Sequence, residues 1–128
     1  MTICFEKRKL KESGMPHFII HCSEDVLATH SEQEINRNVH VVANQSGLFI
    51  ESDIKVRTLP FSTYLVGNQD SSFIHVFASI MQGRTEQQRA ALSKAVVSKL
   101  ASLFPEVHNI AMNINEFEKS TYCNRAQL

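Results

Sequence analysis

One pattern of strand, helix and strand occurs twice in this sequence, and the repeat constrains the fold more than any other feature. Three pairs of apolar positions mark it: Phe18 and Phe73, Ile35 and Leu92, and Ile54 and Ile110, which lie 55, 57 and 56 residues apart. The nearly constant separation predicts two copies of a βαβ unit, each with two parallel strands joined by a crossover helix. Such crossovers are almost always right-handed, which leaves few topologies open.

The first copy begins with a proline and continues into a helix. Residues 16–22 form an apolar run of strand length, and a strand tolerates proline at its first position. Ser31 and Glu34 have the spacing of a helix capping box, and apolar residues recur after them at intervals of three and four. Gly47 is a plausible stop signal, so the pattern predicts a helix between Ser31 and Gly47.

The second strand of this copy alternates in polarity. Ile54 and Val56 alternate with charged residues before a proline, which is typical of a strand with one buried face. The segment 61–72 contains Gly67 and Asn68, a pair typical of tight turns. It is predicted to be a hairpin or a loop.

The second copy follows the same order. Residues 73–78 are another apolar run of strand length, and Thr85 and Gln88 form another capping box. The helical stripe that follows is ended by Pro105. Apolar residues then alternate with asparagine over residues 109–115, which predicts the last strand.

These elements predict a single α+β (α/β) domain over residues 15–128, with a four-stranded sheet and both helices on one face. Residues 1–14 contain six charged residues and little periodicity, so they are predicted to be an N-terminal extension or a misassigned start. In the first and third strands, odd-numbered and even-numbered positions are both apolar, as in strands buried on both faces; examples are Ile19, Ile74 and Val76. Because the helices cover only one face, an oligomer is expected to bury the other.

Charge and hydropathy exclude two classes of partner. Lys plus Arg and Asp plus Glu both number 13, so a domain held to nucleic acid by phosphate neutralisation is not expected. No apolar run approaches the roughly 20 residues that cross a bilayer, so no membrane insertion is expected.

The three cysteines lack metal-ligand spacing and no signal-peptide pattern precedes them, which favours the cytoplasm. Cys22, within an apolar run, is expected to be a buried small side chain.

No metal or cofactor is predicted. Three histidines, His17, His21 and His75, lie on predicted strands, but no carboxylates or cysteines accompany them at ligand spacing. Packed or hydrogen-bonded imidazoles are therefore the preferred interpretation.

Two short motifs within the duplicated chain carry a resemblance to a known family. The letters MPHF at residues 15–18, followed by an isoleucine-rich strand, and GRT at residues 83–85 resemble the tautomerase superfamily, most closely its 5-carboxymethyl-2-hydroxymuconate Δ-isomerase family. The resemblance covers residues 15–128. It implies a barrel-like homotrimer that needs no cofactor and moves a proton on a small carboxylated enol or dienol from aromatic-compound degradation. In the family a proline exposed by removal of the initiator Met is the catalytic group, and Pro16 occupies that position.

An N-terminal proline suits this chemistry because it is a secondary amine. Its reference α-amino pKa, near 7.7–8.0, is close to neutrality, and burial lowers it further, so the free amine can take up and return a proton. An internal proline has an amide nitrogen and cannot do so. The sequence departs from the family here, because fourteen residues and Met15 precede Pro16. The resemblance therefore requires translation from Met15 or removal of the extension.

Three cations are candidate substrate-binding residues. Arg84 follows a glycine and precedes a helix N-terminus, and its guanidinium can bind a carboxylate bidentately. Lys55 and Arg57 lie two residues apart, hence on one face of their strand. Counted from Pro16, Lys55 falls where relatives of the family carry an arginine, and Arg57 is the alternative, so which of them faces the pocket stays open.

Two other functions stay open as well. A non-catalytic, oligomeric binding protein of the same fold would result if the extension kept Pro16 blocked. Another activity of the superfamily, ketonisation of a phenylpyruvate-like enol or hydration of an unsaturated acid, would require different cations in the pocket. A free α-amino group at residue 16 would distinguish an enzyme from the binding protein.

Overall fold

The computed structural model describes residues 15–128, and the predicted extension, residues 1–14, lies outside them. Its main elements are β1 (His17–Ser23), α1 (Glu32–Gln45), β2 (Lys55–Phe61), β3 (Phe73–Met81), α2 (Glu86–Leu103) and β4 (Asn109–Phe117). Short 3-10 turns occur at Glu24–Ala28, Glu51–Asp53 and Arg125–Gln127. Within the described residues, no helix has both the length and the apolar character needed to cross a membrane.

Both helices begin at the capping boxes that the sequence indicates. The N–H of Glu34 donates to Ser31 Oγ (3.1 Å), and the N–H of Ser31 donates to the Glu34 carboxylate (3.2 Å). At α2 the N–H of Gln88 donates to Thr85 Oγ1 (3.1 Å), and the N–H of Thr85 donates to Gln88 Oε1 (2.9 Å). Each box satisfies two N–H groups near the start of a helix, so local sequence fixes where each helix begins.

The sheet has the strand order β2-β1-β3-β4. β1 is parallel to β2 and β3 is parallel to β4, which confirms the duplicated unit. The two units join through antiparallel pairing of β1 with β3 at the centre of the sheet. The periodicity did not predict this central pairing, because it joins two units rather than lying within one.

Alternation along the strands places one set of side chains beneath the helices. Phe18 and Ile20 of β1 and Ile74 and Val76 of β3 are almost completely buried on this covered face. α1 packs over β2, α2 packs over β4, and the two helices contact each other. Ile19 lies on the opposite face, which no described helix covers.

This open face carries rows of side chains aligned by strand register. The first row, which we call the polar row, consists of Lys55, His17, Ser79 and Asn115. The second row contains Arg57, Ile19, Phe77 and Asn113, and the third contains Leu59, His21, His75 and Ala111. Phe77 and Leu59 are 37% and 50% exposed. The open face is therefore polar near the start of β1 and more apolar farther along, whereas the sequence pattern predicts that β1 and β3 are apolar on both faces.

The connection between β2 and β3 contains the predicted turn. Val66 and Gln69 exchange two backbone hydrogen bonds, of 2.8 and 3.1 Å, around Gly67 and Asn68. The latter two residues have φ values of +57° and +63°. Positive φ at both central positions is typical of the type I′ hairpin turn, which glycine and asparagine adopt at low cost.

Candidate active site

The ends of all four strands line up along one side of the sheet, which runs across the strands. β1 and β2 begin at this edge, and β3 and β4 end there. We call it the proline edge, because Pro16 immediately precedes β1 there. The four residues predicted for the site each lie within three residues of a strand end at this edge: Pro16, Lys55, Arg57 and Arg84. The topology thus gathers residues that are up to 68 positions apart in sequence.

Pro16 is fully buried at this edge. Its carbonyl accepts a hydrogen bond from the N–H of Lys55 at 3.1 Å, which continues the parallel pairing of β1 and β2. In the full chain its nitrogen is bonded to Met15 and is an amide. Met15 has a φ of +29°, a backbone angle that residues other than glycine rarely adopt.

Lys55 and Arg57 are two residues apart on β2, so both side chains lie on the open face. Arg57 Nη1 is 3.2 Å from Nδ1 of His17, the first residue of β1. Lys55 Nζ donates to the Asp53 carbonyl at 2.8 Å. The two cations therefore share the face of the polar row, and His17 lies beside them.

Arg84 lies on the covered side of the sheet. Its Nη2 donates to the Leu48 carbonyl at 2.7 Å, and its guanidinium carbon is 5.5 Å from the centroid of the Phe49 ring. That ring packs edge-on against Phe18, a core residue, with 6.1 Å between centroids. Burial lowers the pKa of Arg84, although a guanidinium stays charged at neutral pH. Within one chain, Arg84 therefore contacts its own backbone and core and lies on the other side of the sheet from Lys55 and Arg57.

Sequence reasoning missed two aromatic residues at the proline edge. Phe117, the last residue of β4, contacts the His17 ring edge-on with 6.2 Å between centroids, and Tyr122 packs on Phe117 at 5.5 Å. The N–H of Lys119 donates to Gln82 Oε1 at 2.8 Å, which ties the segment after β4 to the end of β3. The only signal in the sequence was Phe117 itself, a phenylalanine at the end of the strand in which apolar residues alternate with asparagine.

The other two strand histidines pack in the middle of the open face. His21 and His75 are directly paired across β1 and β3. His75 Nε2 lies 2.6 Å from Asn113 Oδ1, and the His21 ring is 4.8 Å from that of Phe77. Between residues 15 and 128 no group of three or more His, Cys, Asp or Glu could hold a metal ion. The structure thus confirms packed and hydrogen-bonded imidazoles for this pair.

Two further features lie apart from the proline edge. Cys22 is completely buried, and burial, with smaller contributions from Glu32 and Asp25, raises the pKa of its thiol to about 11. It is an unreactive core side chain, as predicted. A groove of about 370 Å³ lies between α1 and α2 and contains none of the predicted site residues; it is lined by Val42, Gln45, Ser46, Leu48, Gln88, Ala91, Leu92 and Ala95.

Comparison of the sequence with protein families gives one match to the residues described above. Residues 16–127 match the model of the family described as 5-carboxymethyl-2-hydroxymuconate isomerase. The match begins at Pro16 and spans all four predicted site residues. No curated protein matches the chain significantly.

Solved structures share the fold over most of their length. A 5-carboxymethyl-2-hydroxymuconate isomerase from Deinococcus radiodurans R1 superposes with a TM-score of 0.79 and 18% identity, covering 91% of this chain and 92% of that one. A 5-carboxymethyl-2-hydroxymuconate delta-isomerase gives 0.70 and 13%, with coverage of 88% and 89%. A fused 4-OT asymmetric trimer gives 0.69 and 11%, with coverage of 85% and 92%. At these identities the likeness establishes the four-stranded fold with two helices.

Proposed function

The chain belongs to the 5-carboxymethyl-2-hydroxymuconate isomerase family, and on that premise we propose that it isomerises an unsaturated 2-hydroxy dicarboxylic acid with Pro16 as acid and base. The substrate proposed is 5-carboxymethyl-2-hydroxymuconate, a 2-hydroxymuconic dicarboxylic acid with an added carboxymethyl group, of the kind formed in the degradation of aromatic compounds. The reaction needs no cofactor, because an amine with a pKa near neutrality both removes and returns the proton.

The position of Pro16 is the observation that carries this proposal. Pro16 begins the family match and immediately precedes β1, next to a sheet face that presents Lys55 and Arg57. A substrate with several carboxylates needs cations near the reacting carbons, and a charged donor strengthens its hydrogen bond as an enolate forms. No carboxylate is proposed for the proton transfer, since the amine fills both roles.

The proposed reaction has two steps. The Pro16 amine removes the proton of the 2-hydroxyl group, and the negative charge left on the 2-oxygen is shared through the conjugated system with a carbon farther along. The same nitrogen, now an ammonium, returns the proton to that carbon. The net change is the movement of one proton and one double bond, with no oxidation or loss of atoms.

This chemistry requires Pro16 to be the N-terminal residue. Met15 directly precedes it, and methionine is removed before small residues such as proline. The positive φ of Met15 adds support, because holding such a backbone costs on the order of 1–3 kcal/mol that a chain starting at Pro16 does not incur. An intact mass of the natively expressed protein tests this step: a mass that begins at Pro16 supports the proposal, and one that begins at Met1 contradicts it.

A second candidate is a non-catalytic binding protein of the same fold. It is favoured by one observation, that in the full chain Pro16 is acylated by Met15 and fully buried. The open face would then keep Lys55 and Arg57 for binding an anion but would lack a base. The two candidates differ in the chemistry of one nitrogen, so activity and the identity of the N-terminus must be measured on the same sample.

We further infer a homotrimer in solution. Phe77 and Leu59 leave apolar surface on the open face, and closure of three sheets into a ring would cover it. Multi-angle light scattering at micromolar concentration should give three times the mass of one chain. A well-folded monomer under those conditions would contradict the inference and would leave the open face to some other partner.

A further inference from the structure

The His17 ring is held in one protonation state by its neighbour. Arg57 Nη1 lies 3.2 Å from His17 Nδ1. A guanidinium has donors and no acceptor, so Nδ1 must accept this hydrogen bond and carry no proton. The ring is then neutral, and its one N–H is at Nε2.

The surroundings of His17 favour the neutral ring. Burial, the Arg57 guanidinium and the Lys55 ammonium, in decreasing order, hold the pKa of His17 below its ordinary value of 6.5. β3 places the uncharged Ser79 opposite His17, and Phe117 at the end of β4 contacts the ring edge-on. Over residues 15–128, the charged groups that act on the imidazole are these two cations, and both oppose its protonation.

The remaining N–H of His17 is available to a ligand. In the part of the chain that the structure describes, no hydrogen bond engages Nε2. The ring belongs to the polar row, one residue from Pro16 and between strands that carry the two cations and Ser79. A donor with a fixed tautomer is thus present at the proline edge, and none of residues 15–128 supplies its acceptor.

We propose that His17 is a further catalytic residue of the isomerisation and that Arg57 is the positioning residue that fixes its tautomer. The assignment rests on the proposed function. The Nε2–H donates to the substrate oxygen on which negative charge collects once the Pro16 amine has removed the proton. A neutral donor suits this role, because its hydrogen bond strengthens as the charge grows, whereas a third cation would also stabilise the starting substrate through its carboxylates.

Kinetics of the form that begins at Pro16 test the donor. His17→Phe keeps an aromatic ring and removes the N–H, so kcat on a 2-hydroxymuconate-type acid should fall on the order of 10²-fold with little change in KM. His17→Gln, whose amide N–H extends to about the position of Nε2, should recover most of that loss. His108→Phe is the matched control, because His108 is exposed and precedes β4 at the opposite edge of the sheet; it should leave kcat unchanged.

Nitrogen-15 NMR of the full chain tests the tautomer without relying on activity. At neutral pH, His17 should show a protonated Nε2 and an unprotonated Nδ1, and Arg57→Met should produce a mixture of tautomers. Removing this cation also raises the pKa of His17, so proton uptake by the ring, followed in the same spectra, should move to higher pH. A ring that Arg57 does not contact would titrate as in the wild type.

The outcomes separate the two proposals. An active wild type whose His17→Phe variant keeps its kcat overturns the role of His17 and leaves the proposed function standing. A proton on Nδ1 in the wild type overturns the argument from Arg57, whatever the activity. A protein with a free Pro16 amine and no isomerase activity overturns the proposed function, and the role of His17 with it.

Discussion

A form of this protein that begins at Pro16 is expected to isomerise a 2-hydroxymuconate-type acid about 10²- to 10⁴-fold faster than the full 128-residue chain. Both forms keep every strand and helix described, because β1 begins at His17. They differ in the nitrogen of Pro16, a secondary amine in one and an amide in the other. The ultraviolet absorbance of the conjugated substrate follows the reaction directly, and intact mass identifies the N-terminus of each sample.

Pro16→Ala in the shorter form is the appropriate control for the amine. It retains an N-terminal amine but loses the ring that fixes the direction of the nitrogen, so it should fold normally and lose most of the activity. Equal rates for the long and short forms, with the long form confirmed as unprocessed, would show that Pro16 is not the base. The binding-protein candidate would then gain support only if both forms were inactive.

If Arg84 binds a substrate carboxylate, as the family resemblance implies, Arg84→Ala should reduce kcat/KM for a dicarboxylate by the equivalent of about 2–5 kcal/mol, which is more than tenfold; the contacts that Arg84 makes within one chain predict no such loss. The structure adds a cost that the sequence did not indicate. Loss of the guanidinium leaves the Leu48 carbonyl without its donor and exposes the Phe49 ring. We therefore expect the free energy of unfolding to fall by about 1–3 kcal/mol as well.

The two effects can be separated by measuring kinetics and denaturant unfolding on the same samples. Arg89→Ala is a matched control, since Arg89 is a partly buried arginine at the start of α2 whose Nη1 lies 3.9 Å from the Glu116 carboxylate. It should alter stability slightly and leave kcat/KM intact. If Arg84→Ala lowers stability but leaves the kinetics on a carboxylated substrate unchanged, Arg84 is a structural residue and Lys55 and Arg57 are the remaining candidates.

The placement of Arg84 illustrates why a motif does not fix the orientation of a side chain. A loop arginine between a glycine and a helix N-terminus is a reasonable carboxylate ligand in sequence, and the capping box of Thr85 does form there. Which way the guanidinium turns depends on Leu48 and Phe49, which lie 36 and 35 residues earlier. The sequence pattern contains no information about that contact, because it arises only when the end of α1 packs beside the end of β3.

The role of His17 was missed for a related reason. In the sequence it is a histidine next to a candidate base, with no partner at a recognisable spacing. Its protonation state follows from Arg57, 40 residues away, which the parallel register of β1 and β2 places beside it. Register decides this contact, since a slip of one residue would turn the Arg57 side chain to the covered face.

The sequence alone determined the elements of this protein and their grouping into two βαβ units, because capping boxes, polarity alternation and turn residues act over a few positions and the same local physics operates in each copy. It also indicated Pro16, Lys55, Arg57 and Arg84 through their resemblance to a family. The tertiary structure decided how the copies join, through antiparallel β1 and β3, and which cations share a face. Those properties depend on register and packing between segments distant in sequence, where the free energy is a sum over contacts that no local pattern specifies.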